Sequence, residues 1–275
     1  MKKYISSILI GLIFLAGLSV LLYPAVSDFI NSRSQTKVIA TYVENVQQMD
    51  NSAYDAVLAQ AKAYNDSLQP GLGRFAVKGQ ALEDYLHLLN ADGEAVGYID
   101  IEKIKVSLPI YLGDSETVLQ VGAGTMPGSS LPIGGPGTHA VLTGHRGLPS
   151  SKLFTDLDHM EVGDTFVIHV LEETLTYQVD QIKIVLPEEM EELDIQEDRD
   201  LCTLITCTPY GINSHRLLVR GSRIDNLEPA GNREYRVTSD AVQLDPLHVA
   251  PVVAGPLILI LLIVVFVSKP RKEDD

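Results

Sequence analysis

Hydrophobic and polar residues along the chain sort into three textures. Two long runs, residues 4–22 and 249–267, contain no charged residue. Each is about 19 residues, enough for a helix rising about 1.5 Å per residue to cross a bilayer core, and both are predicted to be transmembrane helices. Pro251 and Pro256 fall near the outer end of the second run, where a helix tolerates them better than at its centre. Between residues 33 and 68 the pattern is helical. Val38, Tyr42, Val43 and Val46, then Tyr54, Val57, Leu58, Ala61 and Tyr64, recur at spacings of three and four, with Asp50-Asn51-Ser52 between them. That predicts two helices, or one broken at the polar turn. Gln69-Pro70-Gly71-Leu72-Gly73 then reads as loop and residues 81–89 as a short helical turn.

After Asn90 the texture changes to short runs rich in Val, Ile, Thr and Tyr, punctuated by Gly, Pro and Asp: 96–104, 138–142, 165–171, 174–185, 201–208 and 217–224. Strands at this spacing, with only brief helical pieces such as 151–157 between them, predict a mainly β fold, a closed or nearly closed barrel or a sandwich. The expected organisation is an N-terminal span to residue 33, a helical region over 34–89, a β domain over 90–226, a linker over 227–248 and an anchor with its tail over 249–275.

Charge orients this arrangement. Lys2 and Lys3 carry +2 and residues 269–275 balance, so the −15 of the whole chain leaves −17 on residues 28–248. Lys and Arg flanking apolar spans stay cytoplasmic, which predicts both termini inside and the acidic middle outside the cell, at the membrane. Ala25-Val26-Ser27 has the small residues of a signal-peptidase site, but the uncharged run exceeds the roughly 7–15 residues of a signal-peptide core and is read as retained. An acidic exterior excludes a nucleic-acid binder held by phosphate contacts.

Cys202 and Cys207 are the only cysteines. On a strand, residues five apart lie roughly 16 Å apart on opposite faces, whereas a disulfide needs Cα atoms within about 7 Å. Two free thiols are therefore expected. Cys202 fits a buried small hydrophobe; Cys207 closes the run TLITC just before Thr208-Pro209, where a side chain reaches a cleft. The chain turns through Gly211-Ile212-Asn213-Ser214 and returns as HRLLVRG. Antiparallel pairing would set Arg216 opposite Cys207, roughly 5 Å away at Cβ. Taken singly, a free cysteine and a strand-end arginine have ordinary structural readings; together they suit a nucleophile and an oxyanion donor. Among seven histidines, His145 stands where a strand runs into a Gly-flanked loop, and His215 competes because it neighbours Arg216. Adjacent strand residues point to opposite faces, which favours His145 if Arg216 faces the site. Cysteine, histidine and arginine together can perform acyl transfer. No metal-binding spacing and no cofactor motif occur, and the seven acids of residues 188–198 read as a solvated loop.

TLITC at 203–207, HRLLVRG at 215–221 and TGHRG at 143–147, within the wider LPIGGPGTHAVLTGHRGLPSSKLFTDLD at 131–158 and TPYGINSHRLLVRG at 208–221, resemble the sortases, and among them the class C, pilus-assembling branch. The resemblance implies an eight-stranded β-barrel with N-terminal helices and short connecting helices, flanked by two transmembrane helices. It implies Cys207 as thioester-forming nucleophile, His145 as general acid/base and Arg216 as oxyanion or substrate-positioning residue. The implied partners are pilin subunits carrying LPxTG-like sorting signals, joined to a lysine amine. Many class C enzymes carry an Asp-Pro-aromatic lid; here NDSLQPGLGRF at 65–75 lacks that triplet, which leaves Asp66 or Phe75 to serve differently or no plug at all. Other readings are a cysteine protease with water as acceptor, a wall-anchoring transpeptidase with another acceptor, and a non-catalytic surface-anchored protein; the last would need Leu-Pro-x-Thr-Gly before the final span, where LDPLH stands.

Overall fold

A computed structural model of the protein describes residues 2–90 and 94–226, so the second apolar run and the proposed linker lie outside the described residues. Within them, residues 2–32 with 149–151 form one compact unit, and 33–148 with 152–226 the other. Helix α1 (Lys2–Gln48) continues the apolar run without a break and contains Pro24. It is long and apolar enough to cross a membrane. In the first unit the Asn31 side-chain amide donates to the Ser150 carbonyl at 2.6 Å.

The polar turn at residues 50–52 ends α1 and starts α2 (Asn51–Ser67). Asp50 caps α2, its Oδ1 accepting from the Ala53 N–H at 2.9 Å and the Ser52 hydroxyl at 2.6 Å. Hydrogen bonds from Ser52 and then Ala53 hold the Asp50 carboxyl below its usual range. Val57, Ala61 and Asn65, four apart, form the buried stripe of α2. Asn65 locks the helix to a loop of the second unit, receiving the Leu131 N–H at 2.7 Å and donating to the Leu131 carbonyl at 3.2 Å. Helix α3 (Gln80–Leu86) follows, with Tyr85 fully buried and hydrogen-bonded to Thr125.

Eight strands close into a barrel in the order β1-β2-β3-β4-β7-β8-β6-β5: β1 (Gly97–Ile101), β2 (Val106–Leu112), β3 (Ala123–Thr125), β4 (Thr138–Thr143), β5 (Thr165–Val170), β6 (Glu173–Val185), β7 (Asp200–Thr208) and β8 (His215–Arg223). Neighbours pair antiparallel except β2 with β3 and β4 with β7, which are parallel. The predicted run 96–104 is instead a strand and a turn: Lys105, at φ 53°, reverses the chain into β2. The pattern missed β2 because Pro109 interrupts it. That proline is tolerated because pairing with β3 begins only at Ile110. The three residues of β3 carry no signal of their own, and the helix expected at 151–157 is a set of turns ending in a 3₁₀ turn at Leu157–His159.

The barrel interior is filled by Ile99, Ile110, Leu142, Phe166, Ile168, Tyr177, Cys202, Leu204 and Val219, among others. Phe166 and Tyr177 stack at 5.5 Å beside Gly221, where a Cβ would meet both rings' side chains within 2.9 Å. A second, smaller cluster sits on the outer face: Val141 of β4, Ile205 of β7, Leu218 of β8 and Leu193, with Phe75, Met126, Val185 and Met190 packed on it. Strand β7 is thus buried on both sides, which is why its sequence is a near-continuous apolar run.

Candidate active site

Side-chain alternation assigns the faces of β7 and β8. Cys202 and Leu204 point into the barrel and Ile205 to the outer cluster, so Cys207, two residues on, shares the outer face with Ile205. Leu218 of β8 lies in the same outer cluster and puts Arg216 on that face, with His215 on the other. The β7–β8 register pairs Cys207 directly with Arg216. Their turn uses Gly211 at φ 76° and Asn213 at φ 59°, and two successive N–H groups, of Ile212 and Asn213, close on the Pro209 carbonyl at 3.1 and 2.9 Å. The Arg216 guanidinium donates to the carbonyls of Asn213 at 3.2 Å and His215 at 3.1 Å, which holds it at the strand end.

The parallel pairing of β4 with β7 supplies the histidine. Thr143 pairs with Ile205, and the match continues past the end of β4: the Gly144 N–H donates to the Ile205 carbonyl at 3.0 Å and the Thr206 hydroxyl to the Gly144 carbonyl at 2.8 Å. Two residues further in this register His145 comes level with Cys207. Gly144 is required there because a Cβ would come within 2.6 Å of the Phe154 ring. Arg146, next in sequence, donates to the Thr208 hydroxyl at 3.2 Å and pairs with Asp158, so the residues flanking His145 are bound to those flanking Cys207. The imidazole Nε2 of His145 lies 3.2 and 3.3 Å from the two carboxylate oxygens of Glu116. The Glu116 carboxyl is held below its usual range, first by a hydrogen bond from Gln120 and then by His145.

Both cysteines are free; Cys202 is buried and Cys207 partly exposed. Burial, and then the charge of Asp200, pushes the Cys202 thiol far above its usual range and leaves it inert. His139, near the start of β4, is buried between the Asp194 carbonyl and the Thr203 hydroxyl at 2.9 and 2.7 Å, and desolvation lowers its pKa to about 4. Of the acidic loop 188–198, Asp194 has a defined partner rather than solvent: it pairs with Arg74, whose side chain is 5% exposed, and accepts from the Gly71 N–H at 2.8 Å. The segment without an Asp-Pro-aromatic triplet is therefore tied to the β6–β7 loop, and its Phe75 packs on the outer cluster with the Arg74 guanidinium 4.3 Å above the ring. Asp66 has no such role among the described contacts. Glu116 was not singled out by the sequence because it meets the site from an element distant in the chain; Arg146, Thr206 and Thr208 lie beside the candidates in sequence, but the partners that give them a role are some sixty residues away.

Comparison with known proteins gives one consistent answer. The sortase-domain profile matches residues 99–224. The chain is 34% identical over 116 residues to sortase A of Streptococcus agalactiae serotype III (strain NEM316), a match covering 41% of this chain and 47% of that protein, so it spans about half the length of that relative. The crystal structure of sortase C1 from Streptococcus agalactiae is similar with a TM-score of 0.65 and 46% identity, covering 69% of this chain and 99% of that one. Sortase C of Streptococcus pneumoniae, whose structure is described for catalysis and pilin substrate specificity, is similar with a TM-score of 0.63 and 46% identity over 70% of this chain and 99% of that one.

Proposed function

The chain belongs to the sortase family, and from that premise we propose that it is a membrane-anchored cysteine transpeptidase that joins pilin subunits. Cys207 is the nucleophile, His145 the general acid/base and Arg216 the oxyanion donor. In the first half-reaction the Cys207 thiolate bonds to a backbone carbonyl carbon of an LPxTG-like sorting signal. Arg216 N–H groups stabilise the tetrahedral oxygen, and the C–N bond breaks as the departing amine takes a proton from His145. In the second, the amine of an acceptor lysine attacks the thioester, His145 takes its proton, and the thiolate leaves. The observation that carries this reading is the direct pairing of Cys207 with Arg216 on one face of the barrel, with His145 brought level by the β4–β7 register.

The apolar start of α1 and the basic residues outside both apolar runs support a two-pass protein with cytoplasmic termini and an external barrel. Similarity to class C enzymes supports pilin substrates. Incubating the full chain in detergent micelles with a sorting-signal peptide, with and without a lysine-bearing acceptor, and weighing the products tests the assignment. Acceptor-dependent ligation is expected, and Cys207→Ala should abolish it. Cleavage indifferent to the acceptor would make the enzyme a hydrolase, and activity surviving Cys207→Ala would overturn the whole reading.

A further inference from the structure

A proton-exchanging imidazole at the start of a loop has two free side-chain torsions, and its usefulness depends on what fixes them. Residues 144 and 146 are anchored through their backbone or side chain, but neither hydrogen-bonds to the His145 ring. Among the described residues only one side chain does: Glu116, whose two carboxylate oxygens lie 3.2 and 3.3 Å from Nε2. Nδ1 is left without a hydrogen-bond partner among those residues and is the nitrogen available for exchange.

Glu116 is itself held. It opens the single-turn helix α4 (Glu116–Leu119), and Gln120 at its end donates a side-chain N–H to Glu116 Oε1 at 3.3 Å. The turn is seated on β3 through Gly124, where a Cβ would come within 3.1 Å of Val118, 3.2 Å of Leu119 and 2.3 Å of the Gly113 carbonyl. Gly124 in turn pairs with Thr143, two residues before His145. The turn that carries the carboxylate is thus seated beside the strand that leads to His145, and that seat depends on the absence of a side chain at Gly124. The other charged groups near His145 are engaged elsewhere: Arg146 with Asp158 and Thr208, and Arg216 with two backbone carbonyls.

We propose that Glu116 is a positioning residue, which accepts a hydrogen bond from Nε2–H of His145, fixes the ring plane and presents Nδ1 to the reacting thiol and amine. A third group that orients the base is the general logic of nucleophile–base sites. The inference rests on His145 acting as the acid/base, and its test is built to fail separately from that assignment.

The test uses the full chain in detergent micelles with a sorting-signal peptide and an amine acceptor. Glu116→Ala should lower kcat about tenfold with KM within about twofold, because ring orientation matters to the reacting geometry and not to ground-state binding. Glu116→Gln, which keeps an acceptor oxygen at the same reach, should recover kcat to within about threefold of the parent. Glu116→Lys, which places donors against a donor, should be at least as low as Glu116→Ala. With Glu116 side-chain exposure at 68%, all three should melt with the parent enzyme. His145→Ala is measured beside them. If it stays active, the assignment of His145 fails whatever Glu116 does. If His145→Ala is dead but Glu116→Ala keeps parental kcat, or Glu116→Gln is no better than Glu116→Ala, the positioning role is overturned alone.

Discussion

The Thr206 hydroxyl offers the most direct test of how the barrel brings His145 to Cys207. Thr206 is 1% exposed and donates to the Gly144 carbonyl at 2.8 Å, one residue before each of the paired candidates. Thr206→Val preserves shape but removes a buried side-chain donor between the two strand ends. The Gly144 carbonyl loses this side-chain hydrogen bond, which costs about 1–3 kcal/mol for a buried polar group. In a folded unit of this size about 1 kcal/mol moves Tm by roughly 2–4 °C, so a drop of roughly 2–12 °C is expected by calorimetry or thermal shift. Catalysis should suffer more than stability. A reacting group displaced by about 1 Å can lose on the order of 10² in rate, so kcat for peptide transfer should fall about 10- to 100-fold at 25 °C, where the variant is still folded. Thr206→Ser restores the donor and should recover most of kcat while losing some packing. Thr206→Val with parental Tm and kcat would refute the idea that this hydrogen bond sets the spacing. A lowered Tm with parental kcat would confine its role to stability.

Three other expectations follow from the same contacts. Arg216→Ala should lower kcat on the order of 10²–10³-fold, and Arg216→Lys should recover little, since an ammonium cannot replace a planar fork of donors; near-parental activity of the lysine variant in steady-state assays would count against an oxyanion role. An alkylating reagent should label one cysteine in the native enzyme and none in Cys207→Ala, Cys202 being buried and hard to ionise; peptide mapping that finds the label on Cys202 would contradict this. Buried neutral His139, with its pKa depressed to about 4, binds a proton less readily folded than unfolded, so stability is full above roughly pH 6.5 and is lost as pH falls towards 4, by roughly 3 kcal/mol. Denaturant midpoints at pH 7 and 4.5 should converge in His139→Asn, and an unchanged acid slope in that variant would rule out His139 as the source.

Legibility in the sequence followed the length of the contact. The helix break at Asp50 was readable because a cap is a local device, and so was the antiparallel hairpin of β7 and β8, whose short turn sets Cys207 against Arg216 without reference to anything else in the chain. Strand parity then separated His215 from Arg216. By contrast β2 and β3 were not readable: a proline interrupts one and three residues make up the other, and both become strands because the barrel supplies partners on either side.

The sequence alone therefore determined a β fold with an apolar helical start, two unpaired cysteines on opposite faces, and the residue types of an acyl-transfer site. Only the tertiary structure decided which surface that site occupies and what surrounds it. The parallel pairing of β4 with β7 joins strands some sixty residues apart, so no local pattern encodes that Gly144 meets Thr206 or that Arg146 reaches Thr208. The same holds for Glu116 beside His145 and for Phe75 on the outer cluster, where a segment lacking the expected triplet is held through Arg74 and Asp194. Side chains that meet across a closed barrel are selected by the register of strands far apart in sequence, and that register is a property of the closed sheet rather than of any one strand.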